Sequence, residues 1–322
     1  METRLTRKLG IELPIVGAPM GGAAGGRLAA AVSQGGGLGL IGGGYGQADW
    51  LEREFAAAGD ARIGVGFITW SLARQPGLLD QALAHRPAAV MLSFGDPAPF
   101  VPRIREAGAQ AICQVQTLAM AREALAAGAD VLVAQGSEAG GHGLQRSTFT
   151  LVPEVADLIA RSAPDTLLLA AGGVADGRGL AAALMLGADG ALIGSRLLMS
   201  PESLWPAGLQ EAAVAADGDI TVRSRVPDLA RRYVWPAGFT ARILHTGFAA
   251  QWHGHEEELV RPEVLDREEA RYWRGVASGN PDDTCVMVSE AVGLIGDVAP
   301  AAELVRRMAA QARECLSARP RR

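Results

Sequence analysis

Short apolar runs alternate with alanine-rich amphipathic segments from the N-terminus to about residue 198. The runs at 15–20, 38–42, 63–67, 89–93, 111–115, 131–135, 167–171 and 191–194 read as buried strands. Between them, 28–34, 49–58, 78–84, 100–107, 119–127, 153–162 and 179–186 carry helical spacing. Several of these helices stop at Ala-Gly or Leu-Gly pairs, Ala107-Gly108, Ala127-Gly128 and Leu186-Gly187, as helix C-caps do. Alternation of this kind implies parallel strands joined by right-handed crossovers. Eight units favour a closed (β/α)8 TIM barrel, an α/β fold, over an open sheet. The open dinucleotide-binding fold is the rival. It would need GxGxxG after the first strand and an acidic residue at the end of the second, and neither is present. The glycine-rich stretch 35–46 flanks a strand instead of opening a helix.

After about Pro206 the alternation disappears. Residues 220–284 hold Tyr233, Trp235, Trp252, Tyr272 and Trp273, and predict a small, mostly helical inserted lid domain over the barrel mouth. The barrel would then comprise 1–219 and 285–322, its pattern resuming at 286–295 and closing with a helix over 299–316, with Pro300 near its start. The aromatic content of the insert predicts that it borders the substrate pocket. A small satellite core is the competing reading.

Composition narrows the function classes. The chain has 322 residues and a net charge of −5, with no basic block of the kind that tracks nucleic acid. The Arg319-Pro320-Arg321-Arg322 end is basic but terminal and reads as a solvated end. Cys113, Cys285 and Cys315 fit neither a disulfide framework nor a metal knuckle, so reduced cysteines and a cytoplasmic location are expected, with Cys113 on a buried strand. His253 and His255 lack HExxH spacing, and no metal is expected. No apolar run approaches the length of a membrane span, and the N-terminus shows no signal-peptide pattern. The oligomeric state is left open, a homodimer being admitted.

Two glycine-rich strand ends carry the chemistry. After 131–135 comes Gln135-Gly136-Ser137-Glu138-Ala139-Gly140-Gly141-His142-Gly143. Paired glycines let backbone approach a ligand, and imidazole exchanges protons near neutral pH. His142 is therefore the candidate catalytic or substrate-contacting residue. Its glycine neighbours predict exposure and mobility, with no packing role. The second end is Ala171-Gly172-Gly173, followed by Asp176-Gly177 before a helix and by Gly194-Ser195 after the next run. In an eight-stranded barrel these are the ends of strands seven and eight, where backbone amides and a helix N-terminus suit a phosphate. Ala18-Pro19-Met20 ends the first strand, and its soft methionine suits a flat ring such as a flavin. Gln114 and Gln135 end strands five and six and offer hydrogen bonds to a heteroaromatic edge.

The segments APMGG, QGSEAGGHG, AGGVADGRGLAAALMLGADGALIGSR and VSEAVGLIGDVAPAAELV resemble the nitronate monooxygenase family, formerly 2-nitropropane dioxygenases, and the resemblance runs over nearly the whole chain. It implies a TIM barrel with an inserted lid, non-covalent FMN, and oxidation of alkyl nitronates by dioxygen to a carbonyl compound and nitrite. By the same resemblance His142 matches the catalytic histidine. Ala18, Pro19 and Met20 match the flavin-ring segment, and Gln114, Gln135, Gly140 and Gly141 fall at cofactor contacts. Ala171, Gly172, Gly173, Gly194 and Ser195 match the phosphate loops. Three positions depart from the pattern. Gly66 stands where relatives often carry asparagine, which loses a side-chain contact or passes it to a neighbour such as Thr69. Gln114 stands where some have lysine, and Ser195 keeps the hydroxyl of a frequent threonine. An NAD(P)H:quinone reductase and an enoyl-acyl carrier protein reductase share these motifs. A flavin-binding protein without turnover is the non-enzyme alternative.

Overall fold

The computed structural model describes residues 1–318; the basic end at 319–322 lies outside the described residues. All eight anticipated strands form. They are β1 (Ile15–Gly17), β2 (Leu40–Gly42), β3 (Gly64–Ile68), β4 (Ala89–Ser93), β5 (Gln110–Val115), β6 (Val131–Gln135), β8 (Leu167–Ala171) and β9 (Gly190–Ile193). They pair in parallel in the order β1-β9-β8-β6-β5-β4-β3-β2. A single bridge, Val16 to Leu38, brings the two ends of this sheet together into a barrel. Side chains alternate across each strand. Val16, Met91, Ile112, Val131, Val133, Leu167, Leu169 and Leu192 fill the interior. Val65, Val90, Ala111, Leu132, Leu168 and Ala170 pack outward under the helices. Burial on both faces is why these strands read as continuous apolar runs.

The helices between the strands follow the expected spans, and Gly108, Gly128 and Gly187 each turn the chain at φ +82°, +86° and +96° just past a helix end. No run in the sequence predicts the helix Arg4–Leu9, whose Leu5 and Leu9 plug the interior with the strand side chains. The C-terminal helix Ala301–Ser317 lies against Gly177–Met185. A Cβ on Gly177 would come 2.5 Å from Gln311 and Ala312, so only glycine permits this approach. The expectation of a resumed barrel strand at 286–295 fails. Val286, Val288, Val292 and Ile295 are buried there, but in a loop with a short 3-10 turn, Glu290–Leu294, that packs beside the barrel. Burial alone made that run apolar.

Residues 220–284 contain the helices Val226–Ala230, Gly247–Trp252, Glu256–Leu259 and Pro262–Ser278. To these the structure adds strands β10 (Thr221–Ser224) and β11 (Thr240–Leu244), which form an antiparallel sheet with β7 (Gly141–Gly143). Phe248, Trp252, Leu259 and Tyr272 make a core of their own with Val226, Ile243 and Cys285. Trp252 therefore belongs to a satellite core, where its indole N–H donates to Glu268 at 3.2 Å. Among the described residues, no helix is long and apolar enough to cross a membrane.

Candidate active site

The C-terminal ends of the barrel strands carry most of the anticipated site residues. Gln135 stands opposite Ala171 in the β6–β8 register. Its side-chain oxygen accepts hydrogen bonds from Gln114 Nε2 and Gln116 Nε2, both at 2.8 Å. Its amide nitrogen donates to the His142 carbonyl at 3.1 Å. Gln116 was not anticipated; the sequence signal available was a second polar residue just past the end of β5. Its Oε1 is buried with no partner, as is Thr69 Oγ1 beyond β3. An unpaired buried acceptor is costly, so both groups are available to a polar ligand edge.

Gly66 is bound to remain glycine by its neighbour. A Cβ there would sit 2.3 Å from Pro19 Cγ, so the Pro19 ring fills the space a side chain would need. Ala18 is tied to β9 through Ile193 O at 2.8 Å, and Met20 Sδ comes within 3.5 Å of where a Gly194 Cβ would be. The 136–140 loop closes on 172–173 and 288–289. A Cβ on Gly140 would meet the Val288 carbonyl carbon at 2.6 Å and Ser195 Oγ at 2.9 Å, and one on Gly172 would meet Gly136 O at 2.9 Å. Ser195 Oγ accepts from Ser289 N at 2.8 Å, and Ser289 Oγ donates to Glu138 O at 2.6 Å. The amides of Gly172, Gly173, Gly194 and Ser195 donate to no acceptor among the described residues. The helix Gly177–Met185 offers none, which corrects part of the sequence reading. Asp176 accepts from Arg178 N and Gly179 N, and Gln311 accepts from Gly177 N at 2.8 Å. A carboxylate already holds that helix N-terminus.

His142 departs most from the sequence expectation. It lies on β7, where its neighbour-flanked backbone pairs with Ala241 of β11, and its side chain is only 9 % exposed. The Trp235 ring stacks on it at 3.5 Å between centroids and 6° between planes. Phe94, held at φ +65°, meets it edge-on. Nε2 lies 2.9 Å from both carboxylate oxygens of Asp228. Asp228 is buried and also accepts from Arg231 Nη2 at 2.9 Å. Of the two flanking glycines, Gly141 is required by its backbone at φ +70°, and Gly143 lies close to Gln135 and Arg223, where a Cβ would come within 3.3 Å of each. Burial holds the imidazole pKa below its ordinary 6.5, Asp228 opposing that shift and Arg231 and Arg223 reinforcing it. Two more arginines of the insert fix the loop. Arg223 and Arg242 both donate to Ser137 O, at 3.1 and 2.9 Å, and Arg223 reaches Gly143 O at 2.6 Å. Burial and the neighbouring Arg242 bring Arg223 down to about 10.

The aromatic groups extend from His142 over the mouth. Trp235 Nε1 donates to Tyr45 Oη at 3.0 Å, and Tyr45 packs on Tyr233 at 4.0 Å. Trp70 and Phe239 complete the cluster around Trp235. A separate cavity of about 320 Å³ at the opposite end of the barrel is lined by Phe55, Arg62, His85 and Arg86. His85 there is committed to Phe55 and Glu52, and barrel chemistry belongs to the other face. His253 and His255 neighbour Glu256 and Glu258 instead of converging.

A parallel barrel with one buried imidazole–carboxylate pair and free amides at its catalytic end defines a barrel enzyme acting on a small molecule. Comparison with known proteins narrows the class. The family model described as nitronate monooxygenase matches residues 2–62 and 70–311, and the chain belongs to that family. It is accordingly an oxidoreductase. It is 37% identical to nitronate monooxygenase npaC of Metarhizium robertsii, over 94% of this chain and 92% of that one. Among solved structures it resembles FabK from Thermotoga maritima, with a TM-score of 0.85 and 32% identity over 98% of this chain and 97% of that one. It also resembles a nitroalkane oxidase from Streptomyces ansochromogenes, with a TM-score of 0.78 and 27% identity over 97% and 98%.

Proposed function

We propose that this chain oxidises alkyl nitronates with dioxygen as an FMN enzyme whose polar step belongs to His142. The observation that carries the reading is the buried His142, paired with Asp228 at 2.9 Å beside loops rich in unpaired amides. The cofactor fits the residues present. Gly172, Gly173, Gly194 and Ser195 would hold its phosphate through backbone N–H groups. Ala18, Pro19 and Met20 would lie along its ring. Gln114 and Gln135 would meet its polar edge, with Gly140, Gly141 and Ala171 lining the approach and Gly66 making room for Pro19. When bound, FMN supplies the one-electron exchange between the organic anion and dioxygen. The aromatic cover of Tyr45, Trp70, Phe94, Trp235 and Phe239 excludes water from the reacting carbon. In this arrangement residues 220–284 act as a lid domain, with Trp235 bordering the substrate pocket. His142 either holds the nitronate anion or takes the α-proton of a neutral nitroalkane. The lowered pKa favours the second role at neutral pH, because the free imidazole carries the lone pair. The three cysteines are unpaired, which suits the cytoplasm.

Denaturing the purified yellow protein is expected to release FMN and no FAD, read by mass spectrometry of the supernatant. Gly173→Asp is expected to abolish flavin retention. It would force a carboxylate into a backbone at φ +76° beside Glu138 and set it against a phosphate. Full flavin occupancy in that variant would mean the phosphate lies elsewhere. Anaerobic mixing with propionate-3-nitronate, a nitroalkane, NADH and NADPH separates the readings. Bleaching by a reduced nicotinamide but by neither nitro compound would replace this proposal with the reductase.

The pH dependence follows from the same burial. The folded state disfavours protonated His142, so between its depressed pKa and 6.5 the unfolded chain binds more protons. Stability contributed by His142 is present above that range and is lost as pH falls through it. The acid limb of kcat/KM for a neutral nitroalkane is expected below pH 6.5; a limb above that value would show a charged resting imidazole.

A further inference from the structure

The partner of His142 comes from the insert, not from the barrel. Asp228 lies on the helix Val226–Ala230, 86 residues along the chain from His142. Its orientation is not free. Arg231 holds Oδ1 at 2.9 Å while its own Nε donates to Pro227 O at 2.7 Å. The Arg231 guanidinium is further confined over the Tyr233 ring at 4.9 Å and near Tyr272 at 5.9 Å. On the imidazole side, Trp235 covers one ring face and Gln135 holds the backbone carbonyl. Both carboxylate oxygens are within 2.9 Å of Nε2, and Nδ1 has no hydrogen-bonding partner among the described residues. A carboxylate can only accept here, so the proton of a neutral imidazole belongs on Nε2.

We propose that Asp228 is a positioning residue that fixes His142 as the Nε2–H tautomer and so makes Nδ1 the atom that meets the substrate. The proposal rests on His142 being the reacting group. With a neutral nitroalkane, the α C–H bond breaks and its proton passes to Nδ1. The electron pair stays on the substrate as its nitronate. The imidazolium so formed sits against Asp228, which remains ionised and stabilises it. The charged groups facing the ring are Asp228, Arg231 just beyond the same helix, and Arg223 on β10. Phe94 and Trp235 supply its uncharged walls.

The tautomer can be read directly by two-bond 1H–15N correlation on histidine-labelled holoprotein, with His142→Gln identifying the signal. Wild type is expected to show Nε2–H. In Asp228→Asn the amide can accept from Nε2 or donate to it, so the two tautomers should mix. The same variant should lose roughly 10²-fold or more in kcat on a neutral nitroalkane, with KM within about twofold. Its acid limb should move to lower pH, because Arg231 remains and the carboxylate does not. If Asp228→Asn does not fold, Asp228→Asn/Arg231→Gln removes both charges together and should show the same mixing. An Nδ1–H tautomer in wild type overturns the proposal, as does a single unchanged tautomer with an unmoved acid limb in the variant that folds. The two possible failures separate. The tautomer tests Asp228, whereas an active His142→Ala enzyme removes His142 from the chemistry and the proton step with it.

Discussion

His142→Ala is expected to lose roughly 10²–10⁴-fold in turnover of a neutral nitroalkane, the range that follows removal of a general base. The variant should still bind flavin, because the anticipated phosphate contacts are backbone amides at other strand ends. It should not keep wild-type stability. The imidazole is stacked on Trp235 and is one of two partners of a buried carboxylate. Leaving such a group short of a partner costs about 1–3 kcal/mol. Chemical denaturation at neutral pH measures the second effect and steady-state kinetics the first. His142→Asn divides the chemistry. Asparagine can donate a hydrogen bond to an anionic nitronate but cannot take a proton. Nitronate turnover should therefore survive better than nitroalkane turnover, and equal losses on both would favour anchoring over base catalysis.

Arg231→Met is expected to be the most destabilising single change at the site, by about 3–5 kcal/mol, the range for removing one partner of a buried ion pair. Asp228 is 6 % exposed at its side chain and Arg231 12 %, so water replaces little of the lost interaction. The effect on His142 should run opposite to that of Asp228→Asn. With Arg231 gone, the uncompensated carboxylate favours imidazolium, and the acid limb should move to higher pH. Removing both charges together in Asp228→Asn/Arg231→Gln should cost less than Arg231→Met alone, since no unpaired charge stays buried. Denaturation midpoints of the three variants decide this; an Arg231→Met protein as stable as wild type would show that the pair is solvated.

The barrel was legible in the sequence because its strands are buried on both faces. Val131–Gln135 and Leu167–Ala171 carry few polar positions to blur their limits, and glycines past the helix ends mark the turns. The glycine-rich strand ends were legible for a related reason. Loops that approach one another backbone to backbone, as Gly140 does with Val288 and Ser289, exclude side chains and leave a compositional trace. The same logic misled at 286–295. An apolar run records burial, and that loop is buried without a ladder to pair with.

What the sequence by itself determined is the βα alternation, the strand that delivers each loop, and the presence of one histidine among glycines. Only the tertiary structure decided what surrounds that histidine. Gly141–Gly143 is too short to announce a strand, and its partner Thr240–Leu244 lies about 100 residues away. Neither Asp228 nor Arg231 nor Trp235 has a local pattern that points to His142. Their association is set by how the insert folds its own core and then pairs an edge with the barrel's loop. Local sequence encodes periodicity and turn chemistry, whereas a buried charge is placed by whichever distant groups can satisfy it. The imidazole's partner, its stacking and its lowered pKa are therefore properties of the assembled fold.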